Sequence, residues 1–239
     1  QRNWRDDMTA LQWAVEHRNE MLVQALLLAG ASTDAGYKKR DQRPLIKAIF
    51  ADHVPIVQRL VDAKARLNAV YDSRFKSLGV AVDRGNVEIV KILLAARASQ
   101  TCVNAGEYTP LMMAAERGRV DIVRELLSQS KKVLNYHDSK GMTALTLAMH
   151  ERKDDVVKVL LEAQANVYPS PDAPKKSNLL QTAIGRHSLE ITKLFLAANS
   201  DPNLFAHNEK PPLLIAIQSK TALIVEELLK AKADVHVEY

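Results

Sequence analysis

A leucine followed three positions later by an alanine recurs along the whole chain, at Leu11/Ala14, Leu45/Ala48, Leu78/Ala81, Leu111/Ala114, Leu145/Ala148, Leu180/Ala183 and Leu213/Ala216. Successive leucines are 34, 33, 33, 34, 35 and 33 residues apart. Each pair opens an apolar stretch with helical spacing. A second stretch follows, most clearly at residues 87–94, 120–127, 155–161 and 223–229. Apolar side chains at i, i+3, i+4 and i+7 place one buried stripe on each helix. The pattern therefore predicts pairs of helices, repeated with a period typical of stacked repeat proteins. Alanine at the repeated position lets neighbouring helices approach closely.

The helix starts are legible as well. Thr9, Thr109 and Thr143 stand two residues before their leucines, where a hydroxyl can cap the helix, and Asn178 can do the same. Pro44, Pro110 and Pro212 fall in the first helical turn, where the missing N–H costs nothing. Polar segments such as Asp138-Ser139-Lys140-Gly141 read as turns between repeats.

Residues 109–118, Thr-Pro-Leu-Met-Met-Ala-Ala-Glu-Arg-Gly, with the Val-Asp-Ile-Val-Arg-Glu-Leu-Leu that follows, resemble the ankyrin repeat pattern. Asp138 to Leu145 resembles the hairpin-and-cap segment of the same family. The resemblance implies an all-α solenoid of stacked helix–turn–helix units with β-hairpin-like finger loops. It covers residues 1–239 as a single domain, with repeats near 4–37, 38–70, 71–103, 104–137, 138–172, 173–205 and 206–239. Apolar residues in the outermost repeats (Trp4 and Trp13; Leu214, Ile215 and Ile217) lead us to expect that the domain is part of a longer protein that covers some of this surface.

Departures from the family pattern carry information. Between the two helices of a repeat the family favours glycine, and Gly85 and Gly118 comply, but Arg18, Asp52, Arg152, His187 and Lys220 stand at the equivalent places. After the second helix Gly30 complies, whereas Lys64, Arg97, Gln164 and Lys232 do not. If these residues adopt the left-handed conformation, each costs about 1 kcal/mol. The third repeat lacks the usual cap-and-proline pair, having Lys76 and Ser77, and carries Gly79 inside its first helix. Tyr168 to Lys176 contains three prolines and predicts an irregular loop, read either as a partner contact or as a tolerated insertion.

Composition narrows the chemistry. Hydrophobic residues make up 47% and charged residues 26%, the balance of a water-soluble globular chain. No run approaches the length of a membrane span. A single cysteine, Cys102, excludes an internal disulfide and fits an intracellular setting. Interleaving of 33 basic with 28 acidic residues makes the net charge of +5 a mild bias. None of His17, His53, His137, His150, His187, His207 and His236 completes a metal motif. Cys102 with a distant histidine is formally a nucleophile pair, but its place between repeats reads as an ordinary semi-buried cysteine. No phosphate loop or dinucleotide fingerprint occurs. The expectation is a non-enzymatic, monomeric chain without cofactor or metal.

The resemblance implies a scaffold that binds another protein or peptide on its concave finger and inner-helix surface. The finger residue three before each leucine gives the series Met8, Gln42, Phe75, Tyr108, Met142, Ser177 and Lys210. Residues five and six after the central leucines are Asp83, Arg84, Glu116, Arg117, His150 and Glu151. We take Phe75, Tyr108, Met142 and Met113 as apolar contacts, and Arg84, Glu116, Arg117, Lys39, Arg40 and Lys140 as the charged ones. The division resembles the apolar centre and polar rim of an interface. Two alternatives stand beside it. The finger-tip basic groups at 38–40, 131–132 and 175–176 would contact phosphates of a nucleic acid or an acidic surface, with no specific sequence expected. Otherwise the repeats dock the substrate of an enzyme or effector whose catalytic part lies elsewhere.

Overall fold

The computed structural model describes residues 8–34, 43–69, 76–101, 107–168, 178–205 and 209–236. Fourteen helices occur among them. In the first half they are α1 (Ala10–Glu16), α2 (Glu20–Leu28), α3 (Pro44–Phe50), α4 (Val54–Asp62), α5 (Ser77–Arg84), α6 (Val87–Ala95), α7 (Pro110–Glu116) and α8 (Val120–Gln129). The second half holds α9 (Ala144–His150), α10 (Asp154–Glu162), α11 (Leu179–Gly185), α12 (Leu189–Ala197), α13 (Pro212–Gln218) and α14 (Ala222–Lys230). The chain forms two compact units, Gln1–Ala114 with Arg124–Val133, and Ala115–Val123 with Leu134–Tyr239. In the first, α1/α2, α3/α4 and α5/α6 are hairpins; α1, α3 and α5 stack as one layer and α2, α4 and α6 as the other. In the second, α9/α10, α11/α12 and α13/α14 repeat the arrangement.

All seven repeat leucines are buried, and all seven alanines are completely so. A side chain as small as a methyl group lets helices pack closely here, with no room left around it. The anticipated caps form: Thr9, Thr109, Thr143 and Asn178 each accept a hydrogen bond from the backbone N–H three residues on, all at 3.2 Å. Second helices have caps that the leucine register did not single out, namely Asn19, Asn86 and Ser188, with the ring nitrogen of His53 in the same role. In the third repeat Ser77 donates its hydroxyl hydrogen to the carbonyl of Leu67 at 2.6 Å, tying the start of α5 to the preceding loop.

Every non-glycine residue named above at the two helix ends has positive φ, from 52° at Asp52 to 69° at Gln164, and Asn199 joins them at 62°. The cause is helix closure, which is indifferent to side chain. After α1 the N–H of Asn19 reaches the carbonyl of Ala14 at 2.9 Å, and after α4 that of Ala65 reaches Leu60 at 3.0 Å. A bond spanning that interval forces the intervening residue into the left-handed region.

The finger before α9 is described completely. Asp138, buried, accepts from the N–H groups of Lys140 (2.9 Å) and Met142 (2.8 Å), Gly141 turns at φ 74°, and His137 pairs with Thr143. At the outer ends, Trp13 is exposed, Leu214 and Ile215 are half-buried, and Ile217 is 53% exposed; Trp4 lies outside the described residues.

Candidate functional site

Finger and first helix share a side of the repeat. In the last repeat the ammonium of Lys210, three before the leucine, donates to Oε1 of Gln218, five after it, at 2.6 Å. In the first unit Lys47 stands 3.9 Å from the sulfur of Met8 and donates to Glu16 at 2.9 Å. Met8 and Glu16 occupy the same two register positions as Lys210 and Gln218.

Phe75, Lys39 and Arg40 lie outside the described residues, as do Gln42, Ser177 and Cys102. Tyr108 is half-buried in the first unit. Arg84, in the same unit, is exposed and donates to Asp52 at 2.7 Å. Met142 is half-buried at the finger turn of the second unit, where Lys140 is exposed. Glu116 is half-buried and Arg117 exposed. Met113 departs from expectation. At 3% exposure it belongs to the core, covered by its packing neighbours, and it is removed from the candidate surface. Register alone does not decide this, since Trp13, also two positions after its leucine, is 46% exposed. Met112 and Met149 are likewise core residues.

Two aromatic side chains that the finger series did not contain are exposed on first helices of the first unit: Trp13 at 46% and Phe50 at 40%. Phe50 is five positions after Leu45, so extending the helix register beyond the central repeats would have found it. Trp13 is held by His17, whose ring stacks on the indole with centroids 3.9 Å apart and planes inclined by 20°. Nδ1 of His17 lies 2.9 Å from the carbonyl oxygen of Trp13. A carbonyl only accepts, so this nitrogen carries the hydrogen. An aromatic group fixed before contact loses less conformational freedom on docking.

Salt bridges link second helices of successive repeats: Arg59 to Glu20 at 2.6 Å, Lys158 to Glu190 at 3.3 Å and Lys193 to Glu227 at 3.6 Å. A hydrogen bond from Lys230 holds the Glu227 carboxyl below its ordinary range, with the charge of Lys193 adding to the effect. Among the described residues no three His, Cys, Asp or Glu side chains converge as a metal site, and no helix is long and apolar enough to cross a membrane.

A family model for three copies of the ankyrin repeat matches residues 78–171, and a model for a single ankyrin repeat matches residues 6–37. No curated protein matches the chain.

Proposed function

The chain belongs to the ankyrin repeat family, whose members are in general protein–protein interaction modules and typically non-catalytic, and on that premise we propose that it binds a partner protein through the side shared by fingers and first helices. The observation that carries this reading is the exposure of Trp13 and Phe50 on neighbouring first helices, with the Lys47–Glu16 pair between those helices. Large aromatics with little conformational freedom, set among charged groups, are what binding hot spots are made of. In the first unit Tyr108 and Arg84 belong to this side; in the second, Met142, Glu116, Arg117 and Lys140 are the candidate contacts of its own fingers and first helices.

The test is calorimetric titration of a partner recovered by affinity capture with the wild-type chain. Trp13→Ala and Tyr108→Ala are each expected to weaken binding by about 1–3 kcal/mol while the unfolding midpoint moves little. Unchanged affinity in both variants overturns the assignment of this surface.

A further inference from the structure

The repeat register makes an internal comparison between two turns. Asp52 is seven residues after Leu45 and Arg84 is six after Leu78. These positions, in successive repeats, meet as an ion pair of 2.7 Å. Arg152 is seven after Leu145 and Arg186 is six after Leu180, so they occupy the same two positions in the second unit. The backbone is equivalent too, with φ of 52° at Asp52 and 53° at Arg152. Where the first unit has a carboxylate facing a guanidinium, the second has two guanidinium groups.

The consequences are visible at Arg186. Its Nη1 is buried without a hydrogen-bond partner among the described residues. Burial and the charge of Arg152 both lower its pKa, and the charge of Asp154 offsets part of this. Arginine nevertheless stays protonated at neutral pH. Lys153, beside Arg152, adds a third positive charge, and Glu151 and Asp154 are exposed next to it. No described carboxylate lies within 4 Å of either guanidinium. Arg152 is exposed and Arg186 is half-buried, so the pair is reached from solvent on the Arg152 side.

We propose that Arg152 and Arg186 together receive a carboxylate of an acidic segment on the partner protein, which takes the place that Asp52 holds against Arg84. Two forked donors suit a carboxylate, which accepts on both oxygens. The occupant follows from the register, since the group found opposite Arg84 is a carboxylate. The inference rests on the protein-binding reading and adds the chemistry of one contact to it.

The probe is fluorescein-labelled hexaglutamate, followed by anisotropy at physiological ionic strength. The wild-type chain is expected to bind it, and Arg152→Asp and Arg186→Gln each to weaken binding at least about tenfold. Arg18→Gln, which removes a turn arginine in the first unit, is expected to leave binding unchanged. Arg152→Asp should also hold or raise the unfolding midpoint, because it rebuilds the pair found at Asp52 and Arg84. The proposal is overturned if the wild-type chain does not bind the peptide, or if Arg18→Gln weakens binding as much as Arg152→Asp does. Displacement of the peptide by an equal concentration of inorganic phosphate overturns it as well, since that marks a phosphate site. The assay needs no native partner, so its failure leaves the Trp13 and Tyr108 titration to judge the wider reading separately.

Discussion

The phenol oxygen of Tyr168 accepts a hydrogen bond from the backbone N–H of Asp201 at 3.1 Å and lies 3.2 Å from the carbonyl of Asn199, to which it donates. One repeat later Asn203 makes the same two contacts with its amide, accepting from the N–H of Asp234 at 2.7 Å and donating to the carbonyl of Lys232 at 3.2 Å. Asn68 and Asn135 accept equivalent bonds from Ser99 and Asn166. A hydroxyl both donates and accepts, so a tyrosine can occupy an asparagine's rung. Tyr168→Phe is expected to lower stability by about 1 kcal/mol, and Asn203→Ala by a similar amount. Urea unfolding of both variants checks this; an unaltered midpoint in Tyr168→Phe would mean that water replaces the rung.

The left-handed helix ends offer stabilising substitutions. Arg97 (φ 63°) and Gln164 (φ 69°) make no side-chain hydrogen bond or ion pair among the described residues. Arg97→Gly and Gln164→Gly should each raise stability by about 1 kcal/mol. Gly118→Ala should do the reverse, because φ is 70° and the new methyl would lie 2.8 Å from Cδ of Lys153. Thermal unfolding of the three variants would reveal the opposite signs.

Close stacking is tested at the alanines. Ala81→Leu and Ala148→Leu insert three carbons where the side chain is wholly buried, and overpacking should destabilise each variant by about 1–3 kcal/mol. Wild-type stability in both would contradict the tight first-helix layer.

Asp52 and Arg84 are each partly exposed, at 39% and 40% of the side chain, so their coupling is modest. A double-mutant cycle with Asp52→Asn and Arg84→Gln is expected to give about 0.2–1 kcal/mol, shrinking in high salt. A coupling that salt does not change would show that the pair acts through packing and not through charge.

The leucine–alanine register determined much of this protein from sequence alone: fourteen helices, the caps at Thr9, Thr109, Thr143 and Asn178, the prolines in first turns, and the helix ends that turn left-handed. These features are local, set within a few residues by hydrophobic periodicity and backbone hydrogen bonding, so a repeated pattern displays them. Exposure was less legible. Met113 and Phe50 are both apolar residues of first helices, three register positions apart, yet one is core and the other faces solvent. That difference depends on which neighbour packs against each face of the helix. Charge pairing lay further out of reach. Asp52 with Arg84, and Arg152 with Arg186, are separated by 32 and 34 residues, and nothing in the sequence pairs these polar positions at the ends of first helices with one another. Stacking one repeat on the next brings the two positions together, and only then does one pair become a salt bridge and the other a pair of like charges.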